Sequence, residues 1–250
     1  MEIGSFLELQ LPKGREFYNQ DTDIARLNTG RMGIWHAFRV TGCKRIWIPI
    51  YQCDSIRDTF HGKGVEMCFY HQDKNFNPID IKQQEGDAVL LVNYFGIMSH
   101  ERMAALAISY KHVIVDCAQA FFCKPVEGCL MVYSCRKFIG APDGAYVVGK
   151  GAHKFAEEYP QSYSSDTATF LFKRIEYGCE GKGYEARSIN EHRIDTEDCM
   201  KMSKLTRTIL DGTDYDIIRQ KRRKNFAMAH ELFGGINKLN PLQYYDEKTI

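Results

Sequence analysis

The sequence predicts an α/β fold in which a mixed, mainly parallel sheet is sandwiched between helices. Three observations lead to this prediction. Between residues 30 and 148, short runs of β-branched and aromatic residues alternate with segments of helical periodicity, the pattern of strands joined by crossover helices. After residue 151 the strand pattern fades and helical segments follow one another. With 250 residues, of which 44% are hydrophobic and 26% charged, the chain is long enough to bury a large core.

Six segments are predicted to be strands, with helices between and after them. The strands are 45–50, 65–70, 88–95, 112–116, 130–134 and 145–149. The helices are 31–41, 53–61, 99–110, 152–159, 165–177, 197–211 and 214–233. The last helix begins with Asp214, a residue suited to an N-cap, and carries a one-sided stripe made of Ile218, Arg222, Phe226, Ala229 and Phe233.

Composition and charge exclude several classes of function. A formal charge of +1 gives no general attraction to nucleic acid or an anionic membrane, so the basic run "RQKRRK" at 219–224 is interpreted as a solvated helix face. The longest purely aliphatic stretch, "AVLLV", is far shorter than the roughly 18 apolar residues of a membrane span. The nine cysteines form no CxxC pair, and the N-terminus lacks the pattern of a signal peptide. We therefore expect a soluble cytoplasmic protein with reduced thiols.

Asp116 stands at the end of the predicted strand "VIVD", with Gln119 three residues further on. In open α/β sheets the ligand crevice lies at the carboxyl ends of the strands, so an acidic side chain there faces a site. A turn in which Asp116 caps the following segment explains the same residues. Both interpretations stay open at this level.

A glycine-containing turn precedes the first predicted helix in "LNTGRMGIWHAF". Free backbone N–H groups and the helix dipole make such a helix start a natural seat for a phosphate. A plain helix start explains the same residues, and the segment matches neither the GxGxxG nor the GxxxxGK[ST] nucleotide motif. His36, on the same helix, is interpreted as a packed or capping histidine.

Lys137 follows Ser134 by three residues, between two predicted strands, where burying a cation is costly unless a site uses it. An S-x-x-K pair also occurs in penicillin-binding serine enzymes, but their S-D-N and K-T-G elements are missing here. No metal site is predicted, since neither HExxH nor a paired CxxC is present. Four regularly spaced cysteines are interpreted as small core residues: Cys117, Cys123, Cys129 and Cys135.

Taken in order, the helix start, the acid and the Ser-x-x-Lys turn match the needs of pyridoxal phosphate. A lysine supplies the Schiff base, a carboxylate keeps the ring nitrogen protonated, and a hydroxyl with helix amides holds the phosphate. The sequence therefore predicts a pyridoxal phosphate site.

These motifs resemble those of the fold-type-I pyridoxal-phosphate aminotransferases, in particular the DegT/StrS sugar aminotransferases, over about residues 25 to 235. In "LNTGRMGI" the resemblance places the backbone amides of Gly30, Arg31 and Met32 on the phosphate. In "VIVDCAQAFF" it places Asp116 at the pyridine nitrogen and Gln119 at the ring face or the 3-hydroxyl. In "YSCRKFIGAPDGAYVV" it gives Ser134 to the phosphate and makes Lys137 the catalytic lysine.

Two further sites are assigned through the same resemblance. The ring-stacking segment of the family corresponds to "PIYQC", which gives that place to Tyr51 or Cys53. An asparagine that acts from the partner subunit corresponds to Asn190 in "GYEARSIN". The gap between Ser134 and Lys137 is two residues shorter than in most sugar aminotransferases.

The resemblance implies a three-layer α/β/α large domain of the aspartate aminotransferase-like fold over residues 1–235, followed at 236–250 by the start of a C-terminal small domain that is largely missing. It also implies a homodimer that uses pyridoxal 5'-phosphate to transfer an amino group to a keto sugar linked to a nucleotide, with glutamate as the expected donor. The competing hypothesis is a homologue that binds the cofactor or a partner without turnover.

Overall fold

Eight strands form one sheet in the computed structural model, which describes residues 7–19 and 23–243. In chain order they are β1 (Ile24–Leu27), β2 (Arg45–Pro49), β3 (Glu66–Gln72), β4 (Pro78–Ile79), β5 (Asp87–Val92), β6 (Val113–Asp116), β7 (Cys129–Ser134) and β8 (Ala145–Val148). Their order across the sheet is β1-β8-β7-β6-β5-β2-β3-β4. Five strands that are consecutive in this order are mutually parallel, namely β7, β6, β5, β2 and β3. Strands β8 and β4 run antiparallel to their neighbours.

All six predicted strand segments contain strands, which confirms the α/β prediction. Strands β5 to β7 are buried along their whole length because both faces of the sheet are covered. The two strands that the sequence did not predict are short. β1 has four residues, with Arg26 among them, and β4 has two. Neither offers a run long enough to stand out by composition.

Seven α-helices lie in the described ranges, namely α1 (Gly30–Thr41), α2 (Asp54–Gly62), α3 (His100–Ser109), α4 (Thr169–Tyr177), α5 (Lys182–Thr196), α6 (Lys204–Asp211) and α7 (Tyr215–Phe233). Ser99, Ser203 and Asp214 cap α3, α6 and α7, each accepting a hydrogen bond from the amide three residues further on. None of these helices is long and apolar enough to span a bilayer.

Successive residues of the central strands point to opposite faces of the sheet and enter two separate cores. On one face, Leu90 and Ile114 pack with residues of α1 and α2. On the other face, Leu91 and Val115 pack with Met103 of α3. The protein therefore has three layers, with the sheet in the middle. The second core also contains the four cysteines predicted to be buried, Cys117, Cys123, Cys129 and Cys135.

Strand β1 positions the start of α1. It is antiparallel to β8, and β8 is antiparallel to β7, so β1 runs in the direction of the parallel strands. Its carboxyl end therefore lies at the same edge of the sheet as theirs, and only Asn28 and Thr29 separate it from α1. Helix α1 then packs across β6, β7 and β8. Its first turn consequently lies at the edge where the parallel strands end.

The prediction of a helix over 152–159 is wrong. This segment forms turns with a single 3-10 turn at Ala156–Glu158. Gly151 and Phe155 adopt positive φ angles of 82° and 63°, which a right-handed helix cannot contain.

The helix predicted over 197–211 begins only at Lys204, because Ser203 caps it and Lys201 instead forms a β-bridge with Leu27. Helix α5 was not predicted at all. Its buried residues are Gly183, Ala186, Asn190 and Ile194, so small and polar side chains leave little hydrophobic periodicity to detect.

The basic run of α7 is only in part the solvated face that the sequence predicted. Lys221 is exposed, but Arg219 and Arg222 are half-buried. Their guanidinium groups lie over the rings of Phe122 and Phe138, where the stems pack against the protein.

The predicted domain boundary at residue 235 stays a prediction. Helix α7 ends at Phe233, and a 3-10 turn follows at Pro241–Gln243. Residues 244–250 of the predicted small-domain segment lie outside the described residues.

Candidate functional site

A cavity of about 460 Å³ lies at the carboxyl edge of the parallel strands. Strands β2 and β5 are neighbours there, and the chain continues from β2 to β3 on one side and from β5 to β6 on the other. Ligands bind at such reversals of strand order, where a crevice forms outside the carboxyl ends of the strands. The wall contains eight of the residues predicted from sequence: Gly30, Arg31, Tyr51, Cys53, Asp116, Gln119, Ser134 and Lys137.

The first turn of α1 lies against Ser134, at the end of β7. A Cβ on Gly30 would lie 3.4 Å from Cβ of Ser134. The amides of Gly30 and Arg31 donate to no acceptor within the described ranges, as is usual for the first turn of a helix. The third amide predicted for the phosphate, that of Met32, already donates to Oγ1 of Thr29 at 3.2 Å. The Ser134 hydroxyl has no hydrogen-bond partner among residues 7–19 and 23–243, so together with the amides of Gly30 and Arg31 it gives this corner three available donors.

The Asp116 carboxylate is buried in the cavity wall. It accepts hydrogen bonds from the amide of Ala118 at 2.8 Å and from Nε2 of Gln52 at 3.4 Å. Burial raises the pKa of Asp116 above its usual value of 3.8, against the opposing effects of these hydrogen bonds and of the charge on Lys137. A buried carboxylate of this kind is stabilised by any cationic N–H group that enters the cavity.

Lys137 lies on the turn after β7, with β8 following, as the sequence predicted. Its side chain is exposed at the cavity, and Nζ has no ion-pair or hydrogen-bond partner in the described part of the chain. A primary amine in this position is available to react with a carbonyl group. The preceding residue, Arg136, also lines the cavity and pairs with Glu191 of α5.

The residues that follow β2 reach the same cavity. Tyr51 is 61% exposed and stacks on Tyr94, with the ring centroids 5.3 Å apart. Cys53 precedes α2, and its Sγ lies 3.2 Å from Oγ of Ser55. Both residues predicted for ring stacking therefore line the cavity.

Gln119 is hydrogen-bonded to the loop that follows β5. Its Oε1 accepts a hydrogen bond from the amide of Phe95 at 3.0 Å. Phe95 adopts φ 57° and ψ 8°, a left-handed conformation that is costly for a bulky residue. Its half-exposed ring lines the cavity beside Gln119.

Helix α5 also borders the cavity, through Ile194 and Asp195. The guanidinium group of Arg31 donates to the carbonyl oxygens of Ile194 at 2.7 Å and Asp195 at 3.2 Å. Arg31 thus ties the start of α1 to the end of α5, and its side chain is already engaged within the chain.

The structure does not bring Asn190 to the cavity wall. This residue is fully buried on α5. Its Nδ2 donates to the carbonyl oxygen of Pro142 at 2.7 Å, and its Oδ1 accepts from Thr167 at 2.8 Å. Both polar atoms of the side chain are therefore satisfied inside one chain.

The cavity residues that were not predicted from the sequence include Gln52, Arg136 and Phe95. The contact between Gln52 and Asp116 joins residues 64 positions apart, so no local pattern signals it. Arg136 is adjacent to Lys137 in the sequence, and this adjacency was the signal that could have identified Arg136 as a cavity residue. Phe95 fell inside the strand predicted over 88–95, whereas β5 ends at Val92.

Comparisons with known proteins find a likeness in fold to solved structures. Neither a scan against family models nor a search of curated proteins finds a match. Among solved structures, AtS13 from Actinomadura melliaura is 15% identical, with a TM-score of 0.53 over 87% of this chain and 62% of that chain. Sugar aminotransferase CalS13 from Micromonospora echinospora is 16% identical, with a TM-score of 0.53 over 87% and 63% of the two chains. Histidinol-phosphate aminotransferase from Clostridium acetobutylicum is 16% identical, with a TM-score of 0.51 over 86% and 63%.

The fold is that of the aminotransferases. This confirms the predicted three-layer architecture. The chain spans less than two thirds of the length of each of these three proteins.

Proposed function

We propose that this protein is a pyridoxal-phosphate-dependent aminotransferase that transfers an amino group, with glutamate as donor, to a keto group on a nucleotide-linked sugar. One observation carries the proposal: Lys137, Asp116 and Ser134 line a single cavity beside the first turn of α1. These are the side-chain types that the cofactor requires. The cavity also lies at the reversal of strand order, where open α/β folds bind ligands.

The residues of the cavity fit the cofactor. The amides of Gly30 and Arg31, with the Ser134 hydroxyl, would hold the phosphate at the positive end of the α1 dipole. The Asp116 carboxylate would accept a hydrogen bond from the protonated ring nitrogen, whose charge offsets the cost of burying the carboxylate. Lys137 would attach the cofactor through Nζ.

Each residue then has a definable part in the reaction. Bound pyridoxal phosphate withdraws electrons from the substrate carbon that carries the amino group. Lys137 Nζ would remove the proton from that carbon as a base and deliver it, as an acid, to complete the transfer. Asp116 would hold a proton on the ring nitrogen, and Gln119, fixed by Phe95, would contact the ring or its 3-hydroxyl. Tyr51 or Cys53 would pack on the ring.

The choice of substrates is supported by the resemblance of the sequence motifs and by the likeness to CalS13, which is described as a sugar aminotransferase. A homodimeric state and a cytoplasmic location belong to the same proposal.

Borohydride trapping tests the proposal directly. The protein is purified with pyridoxal phosphate and reduced, and the labelled peptide is identified by mass spectrometry. We expect the label on Lys137 in the wild type and its loss in Lys137→Ala. The matched control is Lys150→Ala, which removes an exposed lysine just after β8 and should leave the label in place. Label on a different lysine, or none in the wild type, contradicts the proposal.

Turnover is tested separately with glutamate. In the wild type, the absorbance of the bound cofactor should change to that of its amine form. Lys137→Ala should slow this conversion by several orders of magnitude, since it removes the proton-transfer group. A protein that is labelled on Lys137 but converts with no amino donor would instead support the competing hypothesis of binding without turnover.

A further inference from the structure

A second cavity of about 280 Å³ adjoins the first. Phe95 and Gln119 line both cavities. Arg222 of α7 lines only the second, with its guanidinium carbon 4.0 Å from the ring centroid of Phe138. Phe138 directly follows Lys137 in the chain, so this stacking holds Arg222 beside the reactive turn.

Arg222 has no anionic partner in the part of the chain that the structure describes. No carboxylate of residues 7–19 or 23–243 pairs with it, whereas Arg219, one turn earlier, pairs with Asp216 at 3.9 Å. Burial lowers the pKa of Arg222, as expected for a cation with no compensating charge nearby. The contact with the ring of Phe138 uses no N–H group of Arg222, and none of these groups donates to an acceptor in the described residues, so they are available to a ligand.

Phe95 and Gln119 form the border between the two cavities. Phe95 has a left-handed backbone conformation with φ 57°, and its amide donates a hydrogen bond to Oε1 of Gln119 at 3.0 Å. Strained conformations persist only where surrounding contacts enforce them, and they are concentrated at functional sites. The strain thus falls between the turn that carries Lys137 and the unpaired Arg222.

We propose that the second cavity binds the distal carboxylate of a dicarboxylic amino donor, and that Arg222 is the residue that recognises it. This inference rests on the proposed function, because it assigns the reacting end of the donor to the first cavity and its anionic end to the second. The planar guanidinium group matches the two oxygens of a carboxylate. Asn225, also on α7, adds a polar side chain to the same wall.

The charge of the cavity favours a carboxylate over a phosphate group. Arg222 is the one charged residue in the described wall of this cavity, so it neutralises a single negative charge. A phosphate ester carries about −1.5 to −2 near neutral pH and would remain partly uncompensated there. Three of the six other residues in the described wall are phenylalanines and none is charged, so the wall strengthens a charge-assisted hydrogen bond but adds no cation.

The test measures binding by calorimetry, with glutarate as the probe and its uncharged diamide, glutaramide, as the matched control. It is done on the purified protein before and after loading with pyridoxal phosphate. Wild-type protein should bind glutarate more tightly than glutaramide. Arg222→Gln should weaken glutarate binding by about ten- to a hundredfold, the effect of losing a hydrogen bond to a charged group, and should leave glutaramide binding unchanged. Arg222→Lys keeps the charge and should retain part of the affinity.

The control is Lys221→Gln, which makes the same charge change at an exposed position of α7 and should not affect glutarate binding. Equal glutarate affinity in wild type and Arg222→Gln overturns the inference, as does displacement of glutarate by inorganic phosphate at lower concentrations. Borohydride labelling of Arg222→Gln separates the two proposals. Normal labelling of Lys137 with unchanged glutarate binding refutes the carboxylate site alone, whereas absent labelling in the wild type refutes the cofactor assignment.

Discussion

Gly30 and Ser134 meet where the first turn of α1 approaches the end of β7. A Cβ on residue 30 would lie 3.4 Å from Cβ of Ser134 and 3.9 Å from its Oγ. The first distance is ordinary van der Waals contact, so an alanine fits the folded chain. The added methyl group would nevertheless occupy the corner in which two amides and a hydroxyl are available for a phosphate.

Gly30→Ala should therefore separate stability from cofactor binding. We expect the free energy of unfolding to stay constant or rise by about 0.5–1 kcal/mol, because alanine favours the helix. We expect the affinity for pyridoxal phosphate to fall by about tenfold or more, the scale of one lost hydrogen bond to a charged group. Urea unfolding and a spectroscopic titration measure the two quantities.

The control for this change is Gly62→Ala at the end of α2, where no atom of the described residues lies within 4 Å of the added Cβ. It should leave cofactor affinity unchanged. If Gly30→Ala binds the cofactor as well as the wild type does, the phosphate is not seated against α1.

Asp116→Asn should have opposite effects on the free protein and on cofactor binding. Because burial raises the folded-state pKa of Asp116 above 3.8, its ionised form opposes folding, and stability falls as pH rises through this range. At pH 7 the asparagine variant should therefore unfold no more easily than the wild type. Its cofactor affinity and its rate of conversion with glutamate should both fall, since the charge on the ring nitrogen is no longer matched.

Asp198→Asn supplies a control of opposite sign. Burial acts to raise the pKa of Asp198, but the ammonium group of Lys63 at 2.6 Å, the amide of Cys199 and the charge of Arg31 together lower it below its usual value. This variant should lose stability at pH 7 and keep its cofactor affinity. A marked loss of stability in Asp116→Asn would show that the Asp116 carboxylate stabilises the fold rather than the ligand.

His36 should make stability depend on pH below neutrality. Its Nε2 lies 2.7 Å from the carbonyl oxygen of Ala152, and its Nδ1 lies 3.0 Å from the hydroxyl of Tyr159. Burial lowers the pKa of His36 below its usual value of 6.5, partly offset by the Ala152 carbonyl. The unfolded chain therefore binds the proton more readily. The contribution of the neutral His36 to the free energy of unfolding should be fully present above pH 6.5. It should fall as pH drops below this value, by at most about 1.4 kcal/mol per pH unit for this one proton.

Urea unfolding between pH 7.5 and 5 measures this dependence. In His36→Gln the amide can still donate to the Ala152 carbonyl, but the titrating group is gone, so the slope should become shallower. His192→Gln removes an exposed histidine of α5 and should keep the wild-type slope. Equal slopes in all three proteins would rule out His36 as the source.

Asp143→Ala should cost about 3 kcal/mol or more of stability. The buried carboxylate accepts hydrogen bonds from the Ser162 hydroxyl at 3.1 Å, from the Ser203 hydroxyl at 2.9 Å and from Thr206. Alanine would leave these buried donors without their acceptor. Thermal or urea unfolding measures the loss, and Asp58→Ala, at an exposed position of α2, should change stability by less than about 0.5 kcal/mol.

Local sequence patterns predicted much of the fold and of the candidate site. The central strands are apolar runs, and the Ser134-to-Lys137 turn and Asp116 both follow such runs directly, so their place at strand ends could be predicted. The prediction failed where local signals were weak or conflicting. Helix α5 buries Asn190 among small residues, and the strand predicted through Phe95 concealed a left-handed turn.

By itself, then, the sequence determined which segments are strands and which residues stand at their ends, because hydrophobic periodicity and turn residues act over a few positions. Only the tertiary structure decided which of those ends meet. The pairing of β1 with β8 brings Gly30 to the edge that carries Ser134, and the reversal between β2 and β5 brings Gln52 to Asp116. The packing of α7 sets Arg222 over Phe138. These contacts join residues that are distant in the chain, and they form because both faces of one sheet must be buried together.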